Sequence, residues 1–316
     1  MSERMSHTLL ADRVIMITGA GRGIGAAIAQ HAAAYGATVL VCDIDIDSAE
    51  ETAENIRSSG GHAHAHRLDV TDEANAEEIV TQAIEEFGSI DGLVNNAGRF
   101  AMASMEESTI GMWQEMLAAN VLGTAICGQA VARRMVLRGS GSIVNMTSGA
   151  QCGMAAQSVY SATKGAVASL TYTWALELGP RGVRVNAVSP MAATRMMDVN
   201  HDFRAQHPEM GTLPPGPPAA SNAPVVTYLL SDLSSALNGQ VVRVTGGDLG
   251  LMTHPSVLAP IMHREEWSVE QVAETFDQVL VKHLLPAGIF GLQPARLLEP
   301  EADGWRVSAD EAAILG

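Results

Sequence analysis

Apolar residues in this chain gather into short runs, separated by longer stretches in which they recur every three or four positions. Val14-Ile-Met-Ile17 and Thr38-Val-Leu-Val-Cys42 are two such runs, and the segments near 13–18, 38–42, 62–68, 92–96, 141–147, 183–188 and 240–245 read as strands with helices between them. That alternation predicts right-handed crossovers, hence an α/β fold with a parallel sheet covered by helices on both faces. From Gly165 to Leu178 the only charged residue is Glu177, so this helix is predicted to be buried, either within one chain or partly against another subunit. Between Arg195 and Asn222 no apolar period survives, and Pro208, Pro214, Pro215, Pro217 and Pro218 predict an irregular, mobile lid over a pocket. Met191, Met196, Met197 and Met210 would either line that pocket or fill an ordinary core.

The pattern divides the chain into a domain over residues 1–250 and an extension over 251–316. Ser268-Val-Glu-Gln271 has the form of a capping box and starts a predicted helix to about Leu285. Its Val269, Val272, Phe276, Val279 and Leu280 make an apolar face that would dock on its own domain or on a neighbouring subunit. Beyond Gly288 the mix of prolines and scattered charges predicts partial order at best.

Candidate chemistry sits at the ends of the predicted strands. Thr18-Gly-Ala-Gly-Arg-Gly-Ile-Gly25 follows the first strand and opens a helix, the setting of a dinucleotide loop: Gly19 for a tight turn, Gly23 for close approach of a pyrophosphate, Gly25 for helix packing. The second strand ends at Asp43, where a carboxylate would bind both hydroxyls of an adenine ribose and repel a 2′-phosphate, favouring NAD over NADP. Arg22 is the one nearby base that could blur this preference. Asp91-Gly-Leu-Val-Asn-Asn-Ala-Gly98 and Ser142-Ile-Val-Asn-Met-Thr-Ser148 are strands ending in small polar residues of the kind that line a cofactor crevice. Tyr160 and Lys164, four residues apart, would share a helix face, where an ammonium beside a phenol lowers its pKa toward working pH for proton exchange with an alcohol or carbonyl.

Together these motifs make residues 10 to 250 resemble the short-chain dehydrogenase/reductase family. The resemblance implies a Rossmann-like, doubly wound, seven-stranded parallel sheet with NAD as cofactor. It also implies a tetrad of Asn120, Ser148, Tyr160 and Lys164: Tyr160 as general acid/base, Ser148 holding the substrate oxygen, Lys164 binding the nicotinamide ribose, and Asn120 anchoring a relay water. Cofactor contacts would come from Gly19, Arg22, Gly23, Ile24, Gly25, Asp43, Asp69, Val70, Asn96, Ala97, Gly98, Tyr160, Lys164, Pro190 and Thr194. Ser148 lies one residue closer to Tyr160 than is common in the family, which leaves Thr147 as the alternative. In Ser189-Pro-Met-Ala-Ala-Thr-Arg-Met196, Met191 replaces a usual glycine and Thr194 comes one residue early. This variant, the prolines after it and an apolar helix over Ala223 to Leu230 resemble hydroxysteroid and (3R)-hydroxyacyl-CoA dehydrogenases, implying a bulky apolar secondary alcohol or its ketone as substrate. The family also implies a homodimer or homotetramer. Alternatives are a carbonyl reductase of a biosynthetic or xenobiotic pathway and a silent NAD-binding regulator.

Composition agrees with an enzyme of this size: 316 residues, 47% hydrophobic and 17% charged. The formal net charge of −16 argues against nucleic acid or an anionic membrane as partner. No apolar run in the sequence reaches the roughly 20 residues of a membrane span, and a cytoplasmic location is expected. Cys42, Cys127 and Cys152 predict no disulfide framework. His62, His64 and His66 alternate with alanine on one face of a strand, but no carboxylate or cysteine is spaced to complete a metal site, and an edge strand is expected instead.

Overall fold

The apolar runs become β1 (Val14–Thr18), β2 (Thr38–Asp43), β3 (His62–Arg67), β4 (Gly92–Asn95), β5 (Gly141–Met146), β6 (Val183–Ser189) and β7 (Val241–Thr245) in a computed structural model describing residues 8–255 and 260–284. All seven are parallel, in the order β3-β2-β1-β4-β5-β6-β7, with the histidine-bearing β3 at one edge. The sheet has an eighth strand that the sequence reading lacked, β8 (Asp248–Met252), antiparallel to β7. Its Leu249 and Leu251 are about two-thirds exposed, so no buried run announces it. The first compact unit accordingly spans residues 1–252, and the second spans 253–316.

Alternate residues on each strand face opposite ways, and the helices cover both sides. Helices α1 (Gly23–Ala34) and α2 (Ile46–Ser58) pack Ile28, Ala32, Ala53 and Ile56 against Ile15, Ile17, Val39 and Val41. On the other face α3 (Glu73–Phe87) packs Ile79 and Val80 against Val14, Met16, Leu40 and Leu93. Next to it, α4 (Ile110–Met116) runs through a π-helical turn (Leu117–Leu122) into α5 (Gly123–Arg138). This continuous rod is long and apolar enough to cross a membrane by length and composition. Its Cys127, Ala130, Val131 and Met135 are core residues of the sheet face, so the structure uses the rod as a sheet-covering helix.

Helix α6 (Ser158–Leu178) lies beside it, fastened by a buried polar chain. Asn95 donates to Asn145 at 2.9 Å, and Asn145 donates to Thr171 at 3.0 Å. Because these groups have no water to turn to, the chain fixes how α6 sits on β4 and β5.

The segment expected to be an irregular lid opens instead as a helix, α7 (Arg195–Gln206), followed by 3-10 turns at Pro208–Met210 and Ala219–Asn222. Its less exposed side includes Asn200 and Arg204, a polar pair joined at 2.9 Å, so no apolar period marked it. Helix α8 (Ala223–Leu230) then returns to the sheet. In the second unit α9 spans Val269–Gln278, with both halves of the Ser268/Gln271 capping box formed, and gives way to a 3-10 turn at Leu280–His283 rather than continuing to Leu285. The expectation for the chain beyond Gly288 lies outside the described residues.

Candidate active site

Strand order reverses at β1, which has β2 on one side and β4 on the other, so a crevice opens at their carboxyl ends. Thr18, Asp43, Asn95, Met146 and Ser189 are the last residues of their strands and share that edge.

The glycine loop closes over the crevice, and its shape depends on missing side chains. Gly19 has φ +62°, and a Cβ there would lie 2.8 Å from Ala97 Cα. A Cβ on Gly25 would run into the Gly19 carbonyl oxygen and lie 2.5 Å from Asn96 Nδ2. Asn96 donates from Nδ2 to the carbonyls of Thr18 and Gly19 at 3.0 and 2.8 Å, so its side chain ties the loop to the end of β4. Thr18, the first residue of the motif, whose side chain has no role in the spacing, completes that tie: its hydroxyl accepts the N–H groups of Asn96 and Ala97 at 3.1 and 3.0 Å. The first turn of α1 has no side-chain cap and no acidic residue, leaving the amides around Gly23, Ile24 and Gly25 for an anion.

Asp43 is buried at the end of β2. One of its oxygens accepts Gly21 N–H at 2.9 Å and the other accepts Asp45 N–H at 3.1 Å. Arg22 turns to Asp45, at 2.6 Å, and to Ser48. Asp69 accepts the backbone and hydroxyl of Thr71, which holds its carboxyl below the usual range, and Val70 packs where a side chain on Gly123 would go. Glycine-shaped clearance, an uncapped helix start and a buried carboxylate one strand over fit a dinucleotide with a free ribose diol.

Around Tyr160 the structure gathers the predicted tetrad. The phenol hydrogen-bonds Ser148, and Phe100 meets its ring edge-on at 4.8 Å. Ser148 begins the 3-10 turn Gly149–Cys152 and also accepts Ala150 N–H at 3.2 Å. Thr147 is spent elsewhere, its hydroxyl donating to Val188 O at 3.1 Å. Lys164 Nζ donates to Met146 O at 2.7 Å and stands 5.6 Å from the Tyr160 ring centre. Burial pulls the ammonium down to about 8. It pushes the phenol up to about 12, against the opposing hydrogen bond from Ser148. In the chain itself desolvation outweighs that hydrogen bond, and the phenol stands above its ordinary value rather than below it.

Asn120 sits in the π-helical turn, buried, with Oδ1 accepting Arg99 N–H at 2.7 Å. Its Nδ2 donates to Arg99 O and to Thr163 Oγ1, both at 3.0 Å. Both amide hydrogens are thus used, and its main-chain carbonyl accepts from Thr124 at 2.7 Å. Thr163 donates in turn to Tyr160 O at 2.8 Å, a link between the two site residues that the sequence motif did not mark. Thr194 starts α7 with its methyl 3.7 Å from where a Cβ on Gly23 would lie, which brings that helix to the glycine loop. The Pro190 carbonyl lies 3.4 Å from the half-buried Arg243, whose guanidinium also holds Ser189. Cys42 and Cys127 are buried core thiols, and Cys152 is half-buried in the turn after Ser148. His64 rests edge-on against Phe87, and among the described residues no three potential ligands cluster to hold a metal.

Comparison with known proteins agrees with this geometry. The family described as short chain dehydrogenase matches residues 13–205. Cis-4-hydroxycyclohexanecarboxylate dehydrogenase of Sinomonas cyclohexanicum is 38% identical over 246 residues, which is 75% of this chain and 96% of that protein. A short chain dehydrogenase from Mycobacterium avium superposes with a TM-score of 0.78 at 28% identity, over 90% of this chain and all of that one. An NAD+-bound xylitol dehydrogenase superposes with a TM-score of 0.70 at 30% identity, over 75% and 99% of the two chains.

Proposed function

The chain belongs to the short-chain dehydrogenase family, and from that premise we propose that it is an NAD-dependent oxidoreductase interconverting a bulky, largely apolar secondary alcohol and its ketone. The observation that carries this reading is the Tyr160 phenol, bonded to Ser148 and backed by a buried ammonium, at the strand ends beside a glycine loop. NAD would supply the hydride acceptor, held by the amides around Gly19 to Gly25, by Asp43, and by the backbone of Ala97 and Gly98. Ser148 fixes the substrate oxygen, and Tyr160 takes the hydroxyl proton in oxidation and returns it in reduction. Lys164 keeps positive charge next to the phenol as it ionises, and Asn120 holds the Arg99 segment and Thr163 in place around it. Phe100, Met112, Trp113 and Met154, which pack on the Tyr160 cluster, support an apolar substrate body.

Absorbance of the reduced nicotinamide tests this, with NAD and NADP in turn and a panel of hydroxysteroids, hydroxyacyl thioesters, cyclic alcohols and short aliphatic alcohols. Turnover with none of them, despite NAD binding, would count against the catalytic reading. Two substitutions sharpen it. Ser148→Ala is expected to cut kcat roughly a hundredfold or more, whereas Thr147→Val loses one buried hydrogen bond, about 1 kcal/mol of stability, and keeps its rate. The reverse ranking would move the role to Thr147. Asp43→Ser removes the charge that opposes a 2′-phosphate and should raise the NADP-to-NAD ratio of kcat/KM by roughly tenfold to a hundredfold; an unchanged ratio would place cofactor discrimination elsewhere. Leu137 and Leu176, strongly exposed on α5 and α6, support a homodimer or homotetramer built on those helices.

A further inference from the structure

Arg22 follows Gly21, whose N–H is held by Asp43 at 2.9 Å, so it stands at the end of the crevice where an adenine ribose would meet that carboxylate. An arginine there is the kind of group that accommodates a 2′-phosphate. Along the chain after Asp43 the next base is Arg57, which is paired with Glu50 and Glu54. Arg22 is engaged as well: its guanidinium donates to Asp45 at 2.6 Å and to Ser48 at 3.2 Å. Asp45 is built to receive it. Its N–H donates to Asp43 at 3.1 Å, and as N-cap of α2 its carboxylate accepts the Ser48 N–H at 3.3 Å and the Ser48 hydroxyl at 2.7 Å. Packing leaves this corner little slack: a Cβ on Gly21 would lie 2.8 Å from Ser48 Cβ, and Thr52 donates to Gly21 O at 3.0 Å. Exposed ion pairs contribute little when two long side chains must both be ordered. Here the acceptor is already fixed, and only the arginine has to be. The Ser48 hydrogen bonds, with Arg22 behind them, hold the Asp45 carboxyl below its usual range, so it is charged near neutrality.

We infer that Asp45 is a second cofactor-discriminating residue: it holds Arg22 away from the ribose 2′-position, so that NADP meets two carboxylates and a guanidinium already engaged. This deepens the NAD-dependent function proposed above and rests on it. The two carboxylates do different work. Asp43 suits a free ribose diol and repels a phosphate directly, whereas Asp45 acts through Arg22, keeping its charge and its donors from the phosphate.

The test measures Kd for NAD and for NADP by calorimetry, with no alcohol present, in the wild type, Asp45→Asn, Arg22→Ala and the double variant. Asparagine caps a helix as well as aspartate does, so α2 keeps its start while the charge leaves. In Asp45→Asn the NADP-to-NAD ratio of Kd values should fall by about fivefold to thirtyfold, the contribution of one freed guanidinium to a phosphate in a partly exposed site. Adding Arg22→Ala should abolish that gain. Each ratio is taken within one protein, so a general loss of folded material does not move it. An unchanged ratio in Asp45→Asn overturns the inference, and so does a gain that survives Arg22→Ala, because Asp45 would then act by repulsion alone. Alcohol turnover with NAD separates this claim from the one it rests on. An Arg22-dependent gain in a protein that oxidises none of the alcohols would sink the catalytic reading alone, and an active NAD enzyme whose ratio ignores Asp45→Asn would sink this inference alone.

Discussion

Tyr160→Phe should lower kcat for alcohol oxidation by about a thousandfold, within the range that a positioned acid/base contributes, while NAD binds within a few-fold of its wild-type Kd. The substitution deletes one oxygen. The ring that remains keeps its edge-on packing against Phe100 and its place over Lys164, so the loss in stability is about 1 kcal/mol, the value of one buried hydrogen bond. A catalytic drop far larger than the stability change is the signature of lost chemistry. The pH profile adds a second readout. Burial holds the phenol at about 12 in the chain, so near neutrality it carries its proton. Oxidation needs it to accept one, and kcat/KM in that direction should climb with pH, about tenfold per unit from roughly pH 7 to 8, above which the Lys164 ammonium starts to lose its own proton and the rise should flatten. Reduction consumes the proton already present and should be flat over the same range. Stopped-flow rates for both directions would check this; an oxidation profile in the wild type with no alkaline rise, or a phenylalanine variant that keeps both rate and slope, would remove Tyr160 from the acid/base role.

Much of this arrangement was legible because it is local in sequence. Strands buried on both faces announce themselves as unbroken apolar runs, as Val14–Thr18 and Thr38–Asp43 do, and the glycine loop and the Tyr160/Lys164 pair each depend on spacing within one turn or one helix. What stayed hidden depends on partners far along the chain. β8 exposes its leucines and is defined by pairing with β7, and α7 buries a polar pair that only makes sense once Asn200 and Arg204 meet. Within the site, Asn120 was legible as a residue but not as a clamp on Arg99 and Thr163, because those contacts span 21 and 43 positions. The same holds for Thr18 and Asn96, whose union 78 positions apart converts a flexible glycine stretch into a fixed loop.

That union makes Gly25→Ala a severely damaging single-methyl change in the glycine loop. The added Cβ would collide with the Gly19 carbonyl oxygen and press on Asn96 Nδ2 at 2.5 Å, the two groups whose hydrogen bond fastens the loop. Neither is the free end of a flexible side chain, so the loop must shift as a whole. Overpacking of this kind costs about 2–3 kcal/mol, and a displaced loop no longer presents the first amides of α1, so NAD affinity should fall at least roughly a hundredfold. Gly23→Ala is the matched control. Gly23 has a positive φ, +60°, which Gly25 lacks, but its nearest neighbour would be the Thr194 methyl at 3.7 Å, an ordinary contact. That variant should lose only the left-handed backbone penalty of about 1–2 kcal/mol and bind NAD more tightly than the Gly25 variant by at least tenfold, a difference set by the collision rather than by the backbone angle. Urea unfolding and NAD calorimetry on the pair measure both quantities. Wild-type affinity in Gly25→Ala would mean that the cofactor does not use this loop, and equal losses in the two variants would mean that the collision at Gly25 costs no more than the backbone angle at Gly23.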